Sequence, residues 1–160
     1  MAPSSLRDTN TALPSDPLLS PKLANPASTP DLPPSSALAI KALAVGRIAL
    51  GVASLLAPRF TFALFQFPIA PNMTILPRIF GIRELFVGEF TLTAEDRAAS
   101  DGGRREVKRM LWMNVGVDAV DIISVAYGVA TGTMSRTAGG MFVGGAALCL
   151  GLAGIAMKGM

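Results

Sequence analysis

The chain has no histidine, one cysteine (Cys149), one tryptophan and one tyrosine, and only 16% of its 160 residues are charged. Each shortage removes a class of function. Without histidine, the commonest general base and transition-metal ligand is gone. A single cysteine excludes intramolecular disulfides, paired redox thiols and thiolate metal cages. No metal site is expected, and nothing in the sequence calls for a cofactor. A soluble domain carries roughly 25% charged residues, so this chain is poor in charge. Its net charge of +3 comes without a basic face interleaved with aromatics, which argues against nucleic acid as a partner.

What the chain does have is apolar surface. Hydrophobic residues make up 51% of it, gathered in four long segments after a front of different composition. Residues 1–36 hold Pro3, Pro14, Pro17, Pro21, Pro26, Pro30, Pro33 and Pro34 among many Ser and Thr. Such a stretch cannot bury enough apolar area to offset chain entropy, and it is read as a disordered tail. It lacks the apolar run of a secretory signal, and Asp8, Asp16 and Asp31 argue against a mitochondrial presequence. Residues 37–157 are read as an all-α bundle of four transmembrane helices, at about 37–57, 77–94, 106–130 and 137–157. Pro58 ends the first, and Pro77 suits the first turn of the second. Between them, Pro68, Pro71 and Pro77 forbid one continuous helix. Phe60, Phe62, Phe65 and Phe67 suggest a piece lying at the membrane surface.

Four spans put the N-terminus, the loop between the second and third helices, and the C-terminus on one side. That side holds Arg7, Lys22, Lys41, Arg97, Arg104, Arg105, Lys108, Arg109 and Lys158; the other holds Arg59 and Arg136, with Arg78 at its border. The bias predicts cytosolic termini. Asn72-Met73-Thr74 is a glycosylation sequon on the far side, close enough to the membrane that low occupancy is expected.

The second helix is the weak span. Its eight large apolar residues contribute about −4 kcal/mol on the insertion scale, whereas each central charge costs about +2.5 to +3.5. Arg83, Glu84 and Glu89 therefore outweigh the apolar gain, and this helix must find partners. The third helix offers them. Asn114, Asp118 and Asp121 follow one another at i, i+4 and i+7, one stripe of a helix. Arg47 lies at mid-depth in the first, with Gly46 and Gly51 allowing close approach.

The expected network sets Arg47 and Arg83 against Asp118, Asp121 and one of Glu84 or Glu89, with Asn114 alongside. Counting both glutamates, these helices hold two arginines and four carboxyls, so one carboxyl is expected to keep its proton. Such a cluster can serve only to fix helix register, can bind a ligand or catalyse, or can pass ions. For catalysis, Asp118 and Asp121 form the candidate acid–base pair: a carboxyl kept neutral in an apolar pocket is a competent acid and its ionised neighbour a competent base. In the fourth helix, Gly140 and Gly144 form GxxxG and Ala147 to Gly151 repeats the spacing. Small residues so placed let helices pack closely, within the chain or in a homodimer.

Three motifs together resemble a family of small four-helix membrane proteins of unknown function found in fungi and bacteria. They are Gly46-Arg47-Ile48-Ala49-Leu50-Gly51 followed by Ala57-Pro58; Arg78-Ile79-Phe80-Gly81-Ile82-Arg83-Glu84; and Asp118-Ala119-Val120-Asp121. The resemblance covers residues 37–157. It implies a membrane location, with an endomembrane, the endoplasmic reticulum, expected, and, since fungal members sometimes lie beside secondary-metabolite genes, an accessory or tailoring role on a lipophilic metabolite. It implies no catalytic residue. The alternatives are a non-catalytic membrane scaffold and a small oligomeric transporter. The expected partners are the lipid bilayer, a lipophilic small molecule and a second copy of the chain.

Overall fold

The structure, a computed structural model, describes residues 32–95 and 101–160. The tail expected over residues 1–36 lies outside them up to position 31. Among the described residues the fold is all-helical, with five α-helices and a short 3-10 turn. They are α1 (Pro34–Leu56), α2 (Pro58–Leu64), the turn Pro71–Met73, α3 (Ile75–Thr93), α4 (Arg104–Ala130) and α5 (Arg136–Lys158). Three of them, α1, α4 and α5, are long and apolar enough to cross a membrane. With Arg78, Arg83, Glu84 and Glu89, α3 is too charged to qualify by composition.

Local chemistry explains the boundaries. Helix α1 starts three residues before the predicted position because Pro34 takes the first helical place, where its missing N–H costs nothing. Pro58 closes α1 and opens α2 in the same way. The segment expected to be irregular thus contains one short helix. Gln66 ends it in the left-handed region, φ 57°. The Phe67 N–H then reaches the Phe62 carbonyl at 3.0 Å, and the Gln66 N–H reaches that of Ala63 at 2.9 Å. The Phe62 and Phe67 rings, 6.4 Å apart, make the apolar contact that accompanies such a turn. Helix α3 begins two residues before Pro77, which still sits in the first turn. The Asp101 carboxylate accepts hydrogen bonds from the N–H groups of Arg105 and Gly103, both 3.1 Å. These bonds hold its carboxyl below the usual carboxylate range. Ser135 caps α5, its Oγ accepting from the Ala138 N–H at 3.2 Å.

Helix α1 is the centre of the bundle. It packs most extensively against α3 and also lies along α5. The sequence had offered the third long helix, now α4, as the partner of α3, yet α3 packs mainly on α1. The reason for the difference is steric. A Cβ on Gly88 would stand 2.7 Å from the Ala44 carbonyl oxygen, and one on Gly51 would stand 2.6 Å from the Leu85 nitrogen. A Cβ on Gly81 would stand 2.8 Å from the Gly51 carbonyl oxygen. Backbone thus meets backbone along an antiparallel seam, and α1 rather than α4 is what α3 lies on.

Helices α4 and α5 form a hairpin at Gly132, φ 74°. At its turn Gly139 of α5 lies under Val129. The Ser36 hydroxyl donates to the Ile155 carbonyl at 3.2 Å, tying the start of α1 to the end of α5. Near that end Ile40, Leu43, Val107, Leu111, Ala153 and Ala156 form the apolar core. Outside it, Val45, Val52, Ile79, Ile82, Phe86, Val120, Ile123 and Leu148 are exposed. The surface is apolar and the middle is charged, the reverse of a water-soluble bundle.

Replacing Gly88 with Ala forces backbone apart, and the expected cost is about 1–3 kcal/mol, the range for overpacked cores. Replacing Gly140 with Ala, where a Cβ meets nothing within 4 Å, should leave the thermal midpoint unchanged. Unfolding of the two variants in detergent micelles checks this contrast.

Candidate functional site

At mid-height the bundle encloses a chain of five ionisable side chains from three helices. Arg47 of α1 is 3% exposed. It donates from Nη1 to Glu84 Oε2 of α3 at 2.6 Å and from Nη2 to Asp118 Oδ1 of α4 at 2.5 Å. The other oxygen of Glu84, Oε1, accepts from Arg83 Nη2 at 2.8 Å. Arg83 also grips Asp121 bidentately, Nη1 to Oδ1 at 2.7 Å and Nη2 to Oδ2 at 2.6 Å. The order is therefore Asp118–Arg47–Glu84–Arg83–Asp121. Planar guanidinium forks suit such bridging, because each offers several donors in one plane. Phe80, one turn before Arg83, lies with its ring centroid 4.9 Å from the Arg83 guanidinium carbon.

The two ends of the chain differ. Glu84 and Asp118 are buried with Arg47, whereas Arg83 and Asp121 have side chains 35% and 32% exposed. Six carboxylate oxygens are present, and five accept from guanidinium groups. The sixth, Asp118 Oδ2, is buried without a partner among the described residues. Three carboxyls stand against two guanidinium groups, so the cluster carries one acidic group in excess.

Two residues expected in this network lie elsewhere. Glu89 is exposed and pairs with none of the described residues. It stands five positions beyond Glu84, a rotation of roughly 140° at 3.6 residues per turn, which turns it off the inward face. Asn114 is fully buried one turn before Asp118, and it bonds Thr91 of α3 instead of an ion. Its Nδ2 donates to Thr91 Oγ1 at 2.9 Å and to the Met110 carbonyl at 2.8 Å. Thr91 was not singled out in the sequence, where a Thr in an apolar helix carries no distinguishing signal. Asn72 of the sequon is exposed in the 3-10 turn.

Beside the ion chain lies a cavity of ≈ 380 Å³ between α1, α4 and α5. Arg47, Glu84, Asp118 and Asp121 form part of its wall. The rest is mainly apolar: Leu43, Leu50, Ile122, Val125, Leu148 and Leu152, with Cys149 and the small residues Ala42, Gly46, Gly145 and Ala146. A Cβ on Gly46 or Gly145 would meet nothing within 4 Å, so glycine at these positions leaves room. Phe65, Phe80 and Phe142 also line the cavity. They belong to an aromatic cluster in which Phe62 meets Phe80 at 5.5 Å and Phe65 stacks on Phe142 at 4.8 Å. The phenylalanines between α1 and α3, expected at a membrane surface, are therefore divided: Phe60 is 67% exposed, while Phe62 is buried. The sequence shows the ionisable stripe but not this cavity, which depends on how three helices diverge.

Among the described residues no group of His, Cys, Asp and Glu could hold a metal ion. The arrangement can instead hold an apolar body against one under-bonded carboxyl. No family model, curated protein or solved structure matches the chain.

Removing one partner of a buried ion pair leaves the other charge uncompensated, at a cost of about 3–5 kcal/mol. Arg47→Met, which strands both Glu84 and Asp118, is expected to fall in that range. Arg83→Met acts on partly exposed groups and should cost distinctly less. Chemical denaturation of both variants in micelles measures the difference.

Proposed function

We propose that the chain is a four-span integral membrane protein that holds a lipophilic small molecule in the cavity beside Arg47 and acts on it through Asp118. One observation carries this reading: an apolar-walled space of ≈ 380 Å³ adjoins a buried carboxyl with an uncommitted oxygen. That volume lies within the usual range for small-molecule sites. A carboxyl in apolar surroundings can give or take a proton at a carbon or oxygen centre held against it. Asp121 was the second candidate for this chemistry. With both its oxygens on Arg83, it serves to position Arg83 and Glu84.

The fourth span is α3, and its geometry supports that role. Glu84 sits at the centre of Ile75–Thr93 and faces inward, while Ile79, Ile82 and Phe86 face out. The exposed charges Arg78 and Glu89 lie toward opposite ends of the helix, where long side chains reach the headgroups. At 19 residues, α3 is about 28 Å long, close to a hydrocarbon core. The Lys and Arg bias supports cytosolic termini. The residues shared with the small four-helix membrane proteins suggest the setting: a tailoring step on a secondary metabolite in a fungal endomembrane.

A non-catalytic scaffold is the second reading, and the open face of α5 favours it. A Cβ on Gly140, Gly144 or Gly151 meets nothing within 4 Å, which leaves that stripe free for a second copy.

The metabolite that disappears in a deletion strain serves as the readout. Gly46→Leu combined with Gly145→Leu fills the cavity and should abolish its formation, with the protein still folded. Asp118→Asn should lower the rate by about 10²-fold or more at unchanged protein level. A scaffold behaves otherwise: abundance or dimer formation falls, and product returns once expression is restored. The span assignment has its own check. In a Cys149→Ala background, Ile82→Cys should resist a membrane-impermeant maleimide, while Met160→Cys should react only after the cytosolic side is opened.

A further inference from the structure

The charge and hydrogen-bond balance of the network specifies more than a lipophilic ligand. Each guanidinium already uses both terminal nitrogens on carboxylates, while the buried Nε of Arg47 and that of Arg83 find no acceptor among the described residues, so the case for Asp118 rests on charge as much as on hydrogen bonds. Glu84 and Asp121 have both oxygens occupied. Asp118 alone has one oxygen occupied and one free, and its side chain is only 5% exposed. The excess acidic group and the missing donor thus fall on one residue, in the wall of the cavity. In apolar surroundings an unbalanced carboxylate is costly unless a cation or a proton meets it. A hydroxyl or amide on a ligand supplies the donor but leaves the charge. A carboxylate on a ligand worsens it. An ammonium group supplies both.

We propose that the cavity takes a lipophilic amine in its protonated form, with an ammonium N–H donated to Asp118 Oδ2 and the hydrocarbon part lying among Leu50, Ile122, Val125 and Leu148. The proposal rests on the cavity being a ligand site. Phe80, which already meets Arg83, and the stacked pair Phe65 and Phe142 add apolar wall against which the hydrocarbon part can pack. Arg47 and Arg83 do not repel the ammonium outright, since two of the three carboxylates balance their charges and the third leaves the cluster net negative.

The experiment compares octylamine, octanol and octanoate for binding to the purified full chain in uncharged maltoside micelles, by equilibrium dialysis. The cavity-filled Gly46→Leu, Gly145→Leu protein measures micelle partition. Octylamine should saturate one site about tenfold or more tighter than octanol, as a hydrogen bond to a charged group implies. Octanoate should not exceed the filled control. In Asp118→Asn the amine should lose its advantage while octanol still binds, which separates loss of the charge from loss of the cavity. Should Asp118→Asn fail to fold, the comparison in the unaltered protein decides, with Asp118→Glu expected to keep the amine preference.

Equal binding of octylamine and octanol, or preference for octanoate, overturns the amine assignment and leaves the cavity reading standing. If no probe exceeds the filled control, the cavity reading itself fails and the amine assignment fails with it.

Discussion

Arg47 is the residue on which the rest of the structure depends. A guanidinium that is 3% exposed inside an apolar bundle has to be met by acceptors. It is met by two carboxylates from two different helices, Glu84 of α3 and Asp118 of α4. Those contacts require α3 to lie very close to α1, and the glycine seam provides the closeness. At Gly51, Gly81 and Gly88 no side chain holds the backbones apart. The seam also fixes rotation, since only one face of α3 carries Gly81, Glu84 and Gly88 together. Glu84 then passes the constraint to Arg83, and Arg83 passes it to Asp121. An ion chain of this kind is weak evidence for stability in itself, because desolvation offsets much of the attraction. Its effect is on specificity: it selects one register of three helices from many apolar packings.

The cavity is a consequence of the same arrangement. Helix α4 meets α3 at few points besides these long side chains and the Asn114–Thr91 hydrogen bond. Arms of that length hold a helix at a distance, unlike backbone contact. On the other side of α1, Gly46, Gly145 and Ala146 contribute too little volume to fill the gap, and Phe65, Phe80 and Phe142 gather beside it. Close packing on one flank of α1 and loose packing on the other are thus two results of one distribution of small residues. The flank that is tight carries the structural load, and the flank that is open carries the space a ligand could use.

Much of this was legible beforehand, for reasons particular to the residues. Helix existence followed from long apolar runs bounded by proline, and the ends moved by at most three positions, those of the first two long helices because Pro34 and the first turn around Pro77 admit proline without loss of a bond. The stripe of Asp118 and Asp121 was visible because helical spacing is a local property. Of the two alternatives Glu84 and Glu89, Glu89 turns outward, because a count of charges says nothing about which side of a helix faces a neighbour; Asn114 keeps to the inward stripe but bonds Thr91 rather than an ion. The glycines of α5 drew attention by their number, yet the seam that forms uses Gly51, one of the two glycines of α1 expected to allow close approach, with Gly81 and Gly88, while Gly46 meets nothing.

Composition and periodicity alone determined that residues 37–157 form long apolar helices, expected as four spans of which three are apolar enough by composition, and that the central charges must shield one another. Those outcomes depend on transfer energies and on the helical repeat, both of which act within a single segment. Only the tertiary structure decided which carboxylate each arginine takes, that α1 rather than α3 is the central helix, and that Asp118 is left with a free oxygen beside an open space. These depend on the relative rotation and separation of helices, set by steric contact between residues as far apart as Ala44 and Gly88, and no local pattern encodes that distance.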